Sequence, residues 1–519
     1  MIQHFKLWLC IGLLPAGALA GSSNDFFSSF DLQVKGEYVS LTHEDINADN
    51  LQDIALFTYK KAPSGTKRRW LSIYLQTPSG FTGEPDQQIQ IADDLILFDF
   101  GDISGDSQKE LVFFSDSGIK YYSFKNGLFV ISDQLLSTRE SIFMLSDRTT
   151  LRRWDFIRDL NGDGRDDIYI QHIRTATLLL RTSDGGWHEN KIELSTKSRL
   201  FSYYNKRFSV GHKSNALYST PYLLLLDYNL DGEDDLVGIY KDSLVAFVKN
   251  EKGHFEKPNF NKIALDYGEI WGGAKIQRTH LDDKSERKSL YRMRDLNNDG
   301  IFDIVGTMIS TKKSLINPRS EVLIYFGQKN TNAAGPPVIF PTEPNQKLVT
   351  DGTMMVLDLI DINKDQRIDL VIPTVSIGIT QIMKMLLTKT VNLEAGYYLM
   401  RPDHRFDAKA EQVRRMSVKF SFKGGAASPV YELADFNADG LYDILSSTNE
   451  QQLTIHFGNL KDLVSEQVQK RIAMPLPQDG TLVRTARLNN NGMQDVIITY
   501  NEDDLENKNI DNIVKILLR

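Results

Sequence analysis

The sequence predicts an all-β protein, a β-propeller of four-stranded blades whose hairpin loops bind calcium. Three observations support this fold class. A nine-residue acidic motif recurs eight times, strand-forming segments flank each copy, and the two ends of the chain hold complementary parts of one blade. The copies are spaced by about 63 residues on average, which suits one blade per copy. We expect eight blades, with a seven-bladed ring as the alternative.

The repeated motif places acidic or amide residues at positions 1, 3, 5 and 9, with glycine at position 6 in most copies. It begins at residues 45, 102, 159, 227, 295, 361, 435 and 487, and the third copy reads DLNGDGRDD. This is not an EF-hand, because position 12 of that copy is Ile170 and not the bidentate Glu. The flanks are short and rich in β-branched and aromatic residues, so the loop is expected to lie in a β-hairpin.

Strand-forming segments surround each motif in a fixed order. One apolar run precedes the fourth copy (YLLLL) and two follow it (DLVGI and SLVAFV), and a further segment leads to the next unit. After the eighth copy only residues 496–519 remain, enough for two strands. The alternating segment Phe30–Val34 has no unit of its own. We therefore expect it to be the fourth strand of the last blade and to close the ring, which removes two exposed sheet edges.

The loop chemistry suits calcium, a hard cation that takes six to eight oxygen ligands. Positions 1, 3 and 5 direct side-chain oxygens to one centre, and position 7 offers its backbone carbonyl. Clustered carboxylates repel each other without a cation, so seven such clusters favour metal sites over plain turns. The eighth copy has Arg487 and Asn491 at positions 1 and 5, which predicts about seven calcium ions. Three copies lack the glycine and have Asn50, Ser107 or Gln366 instead.

With these motifs in blade-sized units, the chain resembles the FG-GAP/VCBS repeat family, which includes the integrin α-subunit propellers. The resemblance covers residues 30–519, which we take as one propeller domain. It implies that position 9 supplies the last carboxylate and that each loop joins the first two strands of a blade. The implied calcium ligands are Asp45, Asn47, Asp49, Asp53, Asp102, Ser104, Asp106, Glu110, Asp159, Asn161, Asp163, Asp167, Asp227, Asn229, Asp231, Asp235, Asp295, Asn297, Asp299, Asp303, Asp361, Asn363, Asp365, Asp369, Asp435, Asn437, Asp439 and Asp443.

Residues 1–20 have the pattern of a signal peptide. They contain one Lys, an apolar run from Leu7, and Ala18-Leu19-Ala20 before Gly21. The apolar run of about 14 residues is shorter than the roughly 20 needed to span a bilayer, so we expect cleavage and not a membrane anchor. The protein is therefore expected to be exported, to the periplasm or the cell exterior, with no transmembrane segment after cleavage. The single cysteine, Cys10, lies within this segment, so the mature chain would have no disulfide.

Residues 376–388, SIGITQIMKMLLT, depart from the blade pattern. Their apolar residues have helical spacing and are Ile379, Ile382, Met383, Leu386 and Leu387. We expect a helical insertion that packs on the ring. A helix that docks a partner or lies on a membrane surface is the alternative.

The sequence contains no catalytic signature that we recognise. It has no HExxH, GxSxG or phosphate-binding glycine loop, and its nine histidines lack metal-ligand spacing. We therefore expect a binding or adhesion module for a glycan or a cell-surface protein, and not for nucleic acid. The alternatives are a carbohydrate-active enzyme of the polysaccharide lyase kind and a structural subunit of a cell-surface assembly.

Two segments that join second and third strands are basic and suggest an anionic partner. Seven calcium ions would also more than offset the formal net charge of −8. The equally weighted alternative is that these segments are simply solvated loops. Their basic residues are Lys60, Lys61, Lys67, Arg68 and Arg69 in the first, and Lys312, Lys313 and Arg319 in the second.

Overall fold

A computed structural model of the chain describes residues 26–519 apart from 140, 144–150, 204–212, 220–222, 241–242, 263–285, 311, 313–318, 333, 356, 376–389, 420–429, 502–503, 505–509 and 511. The expected signal peptide, residues 1–20, and the expected helical insertion, residues 376–388, lie outside the described residues. Within the described ranges, no helix is long and apolar enough to cross a bilayer.

Eight small antiparallel sheets form a ring, so the protein is an eight-bladed β-propeller. This confirms the predicted fold class and the blade number of eight over the alternative of seven. The strands of blades 1 to 4, from the ring axis outward, are Glu37–Glu44, Asp53–Lys61, Lys67–Tyr74 and Gln87–Ile91; Leu95–Gly101, Glu110–Ser115, Gly118–Lys125 and Leu128–Ser137; Ile157–Arg158, Asp167–Gln171, Ala176–Arg181 and Trp187–Ile192; Leu224–Leu226, Asp235–Tyr240, Ser243–Phe247 and Asn259–Lys262.

Blades 5 to 8 repeat the same order of strands, and blade 6 has an interrupted first strand. The strands are Glu286–Arg294, Asp303–Ser310, Arg319–Tyr325 and Gln346–Asp351; Thr353–Met354 with Asp358–Ile360, Asp369–Val375, Thr390–Tyr398 and Gln412–Lys419; Tyr431–Ala434, Asp443–Asn449, Gln452–His456 and Lys470–Ala473; Val483–Ala486, Asp495–Ile498, Ile513–Leu518 and Ser28–Gln33.

The remaining elements are short additions to the ring. The pair Arg152–Arg153 extends blade 2 by running parallel to its first strand. Between blades 3 and 4, Lys197–Tyr203 and Lys213–Ser219 form a separate hairpin. The other additions are the pairs Gln328–Lys329 with Val338–Ile339 and Gly458–Asn459 with Leu463–Val464, and a 3₁₀ turn at Gly480–Leu482.

The N-terminal segment closes the ring, as the sequence predicts. Ser28–Gln33 pairs antiparallel with Ile513–Leu518, with Phe30 opposite Ile516. Leu32 is fully buried and packs in a cluster that includes Ile54 of blade 1 and Ile516 of blade 8. The last blade therefore takes three strands from the C-terminal part of the chain and its fourth from the N-terminal part.

The hydrophobic core lies between the faces of neighbouring blades. Because each sheet is covered on both faces, its middle strands are buried along most of their length instead of alternating between buried and exposed residues. All six residues of Glu110–Ser115 are buried, for example. One cluster joins blades 1 and 2 through side chains such as Phe57, Leu71, Phe100 and Phe113. The packing of blade on blade thus replaces the disulfides that the mature chain is expected to lack.

Side-chain amides also clamp three pairs of neighbouring blades. In each clamp, an amide in the fourth strand of one blade accepts the backbone N–H of a phenylalanine in the next blade and donates to its carbonyl. Such a two-point contact fixes the distance between the fourth strand of one blade and the phenylalanine-bearing segment of the next. The pairs are Gln87 with Phe129 (2.7 and 2.8 Å), Asn190 with Phe255 (2.6 and 3.1 Å), and Gln346 with Phe406 (2.9 and 2.9 Å).

Candidate calcium loops

All eight motif copies occupy the same place, the connection between the first and second strands of a blade. In blade 1, for instance, the loop 45–53 follows Glu37–Glu44 and leads into Asp53–Lys61. Because every blade has the same strand order, the eight loops lie on one rim of the ring. The connections between second and third strands lie on the opposite face.

Backbone N–H groups gather the side chains of each loop, as the fifth copy shows. The Oδ1 atom of Asp295 accepts the N–H of Asp299 at 3.3 Å, and its Oδ2 atom accepts that of Gly300 at 2.8 Å. Asp299 in turn accepts the N–H of Ile301 at 2.9 Å, and Asn297 donates its amide to Asp299 at 3.0 Å. Positions 1, 3 and 5 are thereby held within one turn of chain.

Two of these hydrogen bonds recur in every one of the first seven loops. The N–H of position 6 donates to the position 1 carboxylate, at 2.7–3.0 Å. The N–H of position 7 donates to the position 5 carboxylate, at 2.8–3.0 Å. The second copy, with Ser104 at position 3, shares both bonds. The seven loops therefore have one local structure despite their different sequences.

The backbone of the first seven loops is left-handed at positions 4 and 6. At position 6 the copies without glycine still adopt it, with φ of 66° at Asn50, 73° at Ser107 and 68° at Gln366. At position 4 it occurs even at Leu230, with φ of 62°. A non-glycine residue in this region costs about 1–2 kcal/mol, which the loop contacts must offset. In the eighth loop only Gly492, at position 6, has a positive φ.

In seven of the eight loops, the position 9 carboxylate ties the loop to the end of the third strand of its blade. Asp303 accepts the N–H of Leu296, at position 2, at 2.8 Å and that of Gly327, just after the third strand, at 2.9 Å. Asp303 is fully buried. The same pair of bonds is made by Asp53, Asp167, Asp235, Asp369, Asp443 and Asp495. Position 9 therefore has a structural role whether or not its loop holds a cation.

Burial raises the pKa of the position 9 carboxyls. The pKa is about 7 for Asp53, Asp167 and Asp303 and about 6 for Asp369 and Asp443. The carboxylates at positions 5 and 1 raise it further, while the two backbone hydrogen bonds lower it. A divalent cation among these groups would favour the ionised form and oppose this rise.

The second loop has a different position 9. Glu110, which is longer than Asp by one methylene, accepts the N–H groups of Ile103 at 3.0 Å and Ser104 at 3.2 Å. Both donors belong to its own loop. The Glu110 carboxylate is thus engaged within its own loop, whereas the Asp of the other copies also accepts an N–H from the end of the third strand.

The eighth loop has no carboxylate at positions 1 and 5. Asn491, at position 5, donates its amide to the carbonyl oxygen of Arg519 at 2.6 Å, and Asn489 donates to the same oxygen at 3.4 Å. Arg487, at position 1, brings a positive charge where the other loops have a carboxylate. Asp495 still accepts the N–H groups of Leu488 and Arg519, both at 2.8 Å.

Cationic side chains link neighbouring loops, a feature that the sequence analysis missed. Arg181, at the end of a third strand, donates to the carbonyls of Ile103 and, at 3.0 Å, Ser104 in the loop of the preceding blade. Lys249, in the same place in blade 4, donates to the carbonyl of Asn161 at 2.7 Å. A basic residue at or just beyond the end of the third strand is the sequence signal that could have indicated these links.

The donor set of the loops fits calcium. Positions 1, 3 and 5 carry carboxylate, amide or hydroxyl oxygens, the ligands that calcium prefers, with no sulfur or imidazole. As the described loops stand, no three acidic side chains of one loop converge into a single cluster. The carboxylates at positions 1, 5 and 9 are instead each engaged by backbone N–H groups.

Comparisons with known proteins add little beyond the fold. No protein-family model matches the chain, and no curated protein matches it. Among solved structures, an Agrocybe aegerita lectin that recognises non-reducing terminal N-acetylglucosamine is 13% identical, with a TM-score of 0.39, over 86% of this chain and 94% of the lectin. The V. cholerae biofilm matrix protein Bap1 is 12% identical, with a TM-score of 0.23, over 96% of this chain and 90% of Bap1. Likenesses this distant carry no argument about function.

The basic residues of blade 1 lie mainly at the strand ends, opposite the loop rim. Lys60 lies over the ring of Trp70, 4.7 Å from its centroid, and Lys67 lies over Tyr59 at 4.5 Å. Arg69 was expected on this surface, but this expectation is wrong, because its side chain is 1% exposed and donates to the carbonyl of Ala92. Residues 67–74 form a strand, so alternate side chains point inward.

The second basic segment is described only in part. Lys312 is exposed, Arg319 is half-buried and pairs with Glu321 at 3.1 Å, and Lys313 lies outside the described residues.

A separate cavity of about 450 Å³ opens near the ring axis between the first strands of blades 4, 5 and 6. It is lined by Leu224–Leu226 and by residues 291–294 and 357–360, and its volume is in the range of small-ligand sites.

Proposed function

We propose that the protein is an exported calcium-binding β-propeller that acts as a binding module for a glycan or protein ligand. The proposal that the protein binds calcium is supported by the shared structure of seven loops on one rim, each with side-chain oxygens at positions 1, 3 and 5. In the third loop the ion would be held by Asp159, Asn161 and Asp163, with the carbonyl of Arg165 and Asp167 completing the set.

Calcium is expected to stabilise the rim and not to act as a switch. The loops join strands that already pair and already bond to position 9, so the ion would add to a formed structure. An ion that binds only the folded state raises stability by mass action. We therefore expect the melting temperature to rise with calcium concentration and to fall on chelation.

A single-loop variant separates specific calcium binding from a general salt effect. Asp163→Asn in the third loop should lower the calcium stoichiometry by one and reduce the calcium-dependent rise in melting temperature. Asn491→Asp in the eighth loop is the matched control and should not add a site, since Arg487 remains. An unchanged stoichiometry in Asp163→Asn would show that the third loop binds no ion.

The partner is proposed to be anionic, and blade 1 supports this on the face opposite the loops. Lys60 lies over Trp70 on one face of the blade, and Lys67 lies over Tyr59 on the other face, so a cation and an aromatic ring pair on both sides of this hairpin. Arg68 is exposed on the same face as Lys60. Aromatic faces and cations together suit acidic sugars and acidic protein segments. The described residues supply no observation that favours the enzyme or structural-subunit alternatives.

Retention on immobilised acidic polysaccharide, measured in calcium as salt is raised, tests the partner. Reversal of two charges, Lys67→Glu with Arg68→Glu, should elute the protein at lower salt. The matched control is Lys125→Glu with Lys252→Glu, which changes exposed lysines near the loop rim by the same charge. Equal elution of the two variants would contradict a role for blade 1. The retention would then depend only on the net charge of the protein. A glycan array probed with and without calcium would then identify the ligand class.

A further inference from the structure

The interface between blades 6 and 7 contains a polar cluster in an otherwise apolar core. In blade 6, Tyr397 lies opposite Gln412, and Arg414 lies two residues further along the same face of the outer strand. In blade 7, Tyr431 is in the first strand and His456 in the third. The two faces meet where the Nη2 atom of Arg414 reaches the Nδ1 atom of His456 at 2.8 Å.

Five buried polar atoms of this cluster have no hydrogen-bond partner. They are the hydroxyl oxygens of Tyr397 and Tyr431, the Oε1 atom of Gln412, and the Nε and Nη1 atoms of Arg414. The two tyrosine hydroxyls are close enough to interact, yet neither reaches hydrogen-bond geometry. A buried polar group without a partner costs about 1–3 kcal/mol, and more if it is charged. Five of them in one place need an explanation, and a bound water or ion is one.

The charge of Arg414 decides what that partner is. Its side chain is 8% exposed, and the contacts of its Nη2 atom are to neutral groups, His456 and the carbonyl of Glu466 at 3.0 Å. Within the described part of the chain, it has no ion pair with a carboxylate. Water could satisfy the free N–H groups but not the buried charge, which is costly unless it is paired.

The groups around Arg414 can take part in binding an anion. Burial raises the pKa of Tyr397 to about 12, and burial together with Tyr397 raises that of Tyr431 well above 10, so both hydroxyls stay protonated and can donate. Burial and the nearby Arg414 lower the pKa of His456, which favours the neutral imidazole. Its Nδ1 atom lies 2.8 Å from Nη2 of Arg414 and 3.0 Å from the carbonyl oxygen of Gln467. Gln412 adds one free acceptor. The set thus has several donors, one positive charge and one acceptor.

We propose that this cluster binds a small oxyanion that retains one hydroxyl group, such as hydrogen phosphate or a phosphate monoester. Arg414 and the two tyrosine hydroxyls donate to the oxyanion, and Gln412 accepts from its hydroxyl. Gln412 and Tyr431 are half-buried, so the cluster lies towards the edge of the interface between blades 6 and 7. The site is independent of the calcium loops and of the basic surface of blade 1.

Titration calorimetry with inorganic phosphate, at constant ionic strength and without excess calcium, tests the site. We expect saturable binding of one phosphate per chain, weaker binding of sulfate, which has no hydroxyl at neutral pH, and weaker binding of acetate. Arg414→Gln should weaken phosphate binding about tenfold or more. Arg415→Gln is the matched control, since Arg415 is the next residue, is exposed and pairs with Glu394 at 2.9 Å. It should change the affinity less than twofold.

A second variant covers the case in which Arg414→Gln does not fold. Tyr431→Phe removes one hydroxyl without a change in shape and should weaken phosphate binding by about twofold to tenfold. The absence of saturable binding to the wild-type protein would overturn the proposal. So would equal losses in Arg414→Gln and Arg415→Gln, or a crystal grown in phosphate that shows only water at Arg414.

Discussion

The amide clamp between blades 1 and 2 gives a prediction with an internal control. Gln87 accepts the N–H of Phe129 at 2.7 Å and donates to its carbonyl at 2.8 Å, and Phe129 is 2% exposed. Gln87→Ala removes both contacts and leaves a buried N–H and a buried C=O without partners. Each unsatisfied group costs about 1–3 kcal/mol, so the loss of both partners should lower the free energy of unfolding by about 2–6 kcal/mol.

The matched control is Gln90→Ala, three residues further along the same strand. Gln90 is exposed, so its loss should change stability by less than about 0.5 kcal/mol. Urea unfolding of both variants gives the two free energies, and hydrogen exchange should show a faster Phe129 amide in Gln87→Ala only. Equal stability of the two variants, or an unchanged Phe129 amide, would refute the clamp as a source of stability.

Two further predictions concern ring closure and pH. Leu32→Ala in the closing strand should cost about 2–5 kcal/mol, since Leu32 is fully buried, whereas Ser29→Ala in the same strand should be nearly neutral; equal melting temperatures would contradict closure by this strand. Burial, helped by Glu432, raises the pKa of Asp358 to about 6. The folded state then holds this proton more tightly than the unfolded state, so stability should fall as pH rises from about 4 to 6. Asp358→Asn should remove about 2 kcal/mol of that fall in urea unfolding, and an unchanged pH profile would argue against the raised pKa.

The sequence predicted the parts of the fold that repeat. Eight copies of a loop with strands at fixed distances were enough to infer blades, and the unpaired segment around Phe30 was enough to infer closure. The split between seven loops and an eighth was also visible in Arg487 and Asn491. In the structure, that split recurs as a left-handed position 4 in the first seven loops only.

Features that depend on contacts between blades were not predictable in this way. Gln87 and Phe129 are 42 residues apart, and neither belongs to a repeated motif. The cluster around Arg414 likewise depends on the register that places it on the same face as Tyr397. Arg69 was misplaced because a run of basic residues was read as a loop, whereas a strand turns every second side chain inward.

Calcium stoichiometry tests the central claim most directly. Equilibrium dialysis of the mature protein in millimolar calcium, followed by metal analysis, should give seven ions per chain, with Asp163→Asn giving six. Two or fewer ions in the wild-type protein would contradict the account, because the loops would then be hairpin turns stabilised by backbone hydrogen bonds alone. Eight ions would contradict the inference that Arg487 and Asn491 disable the last loop.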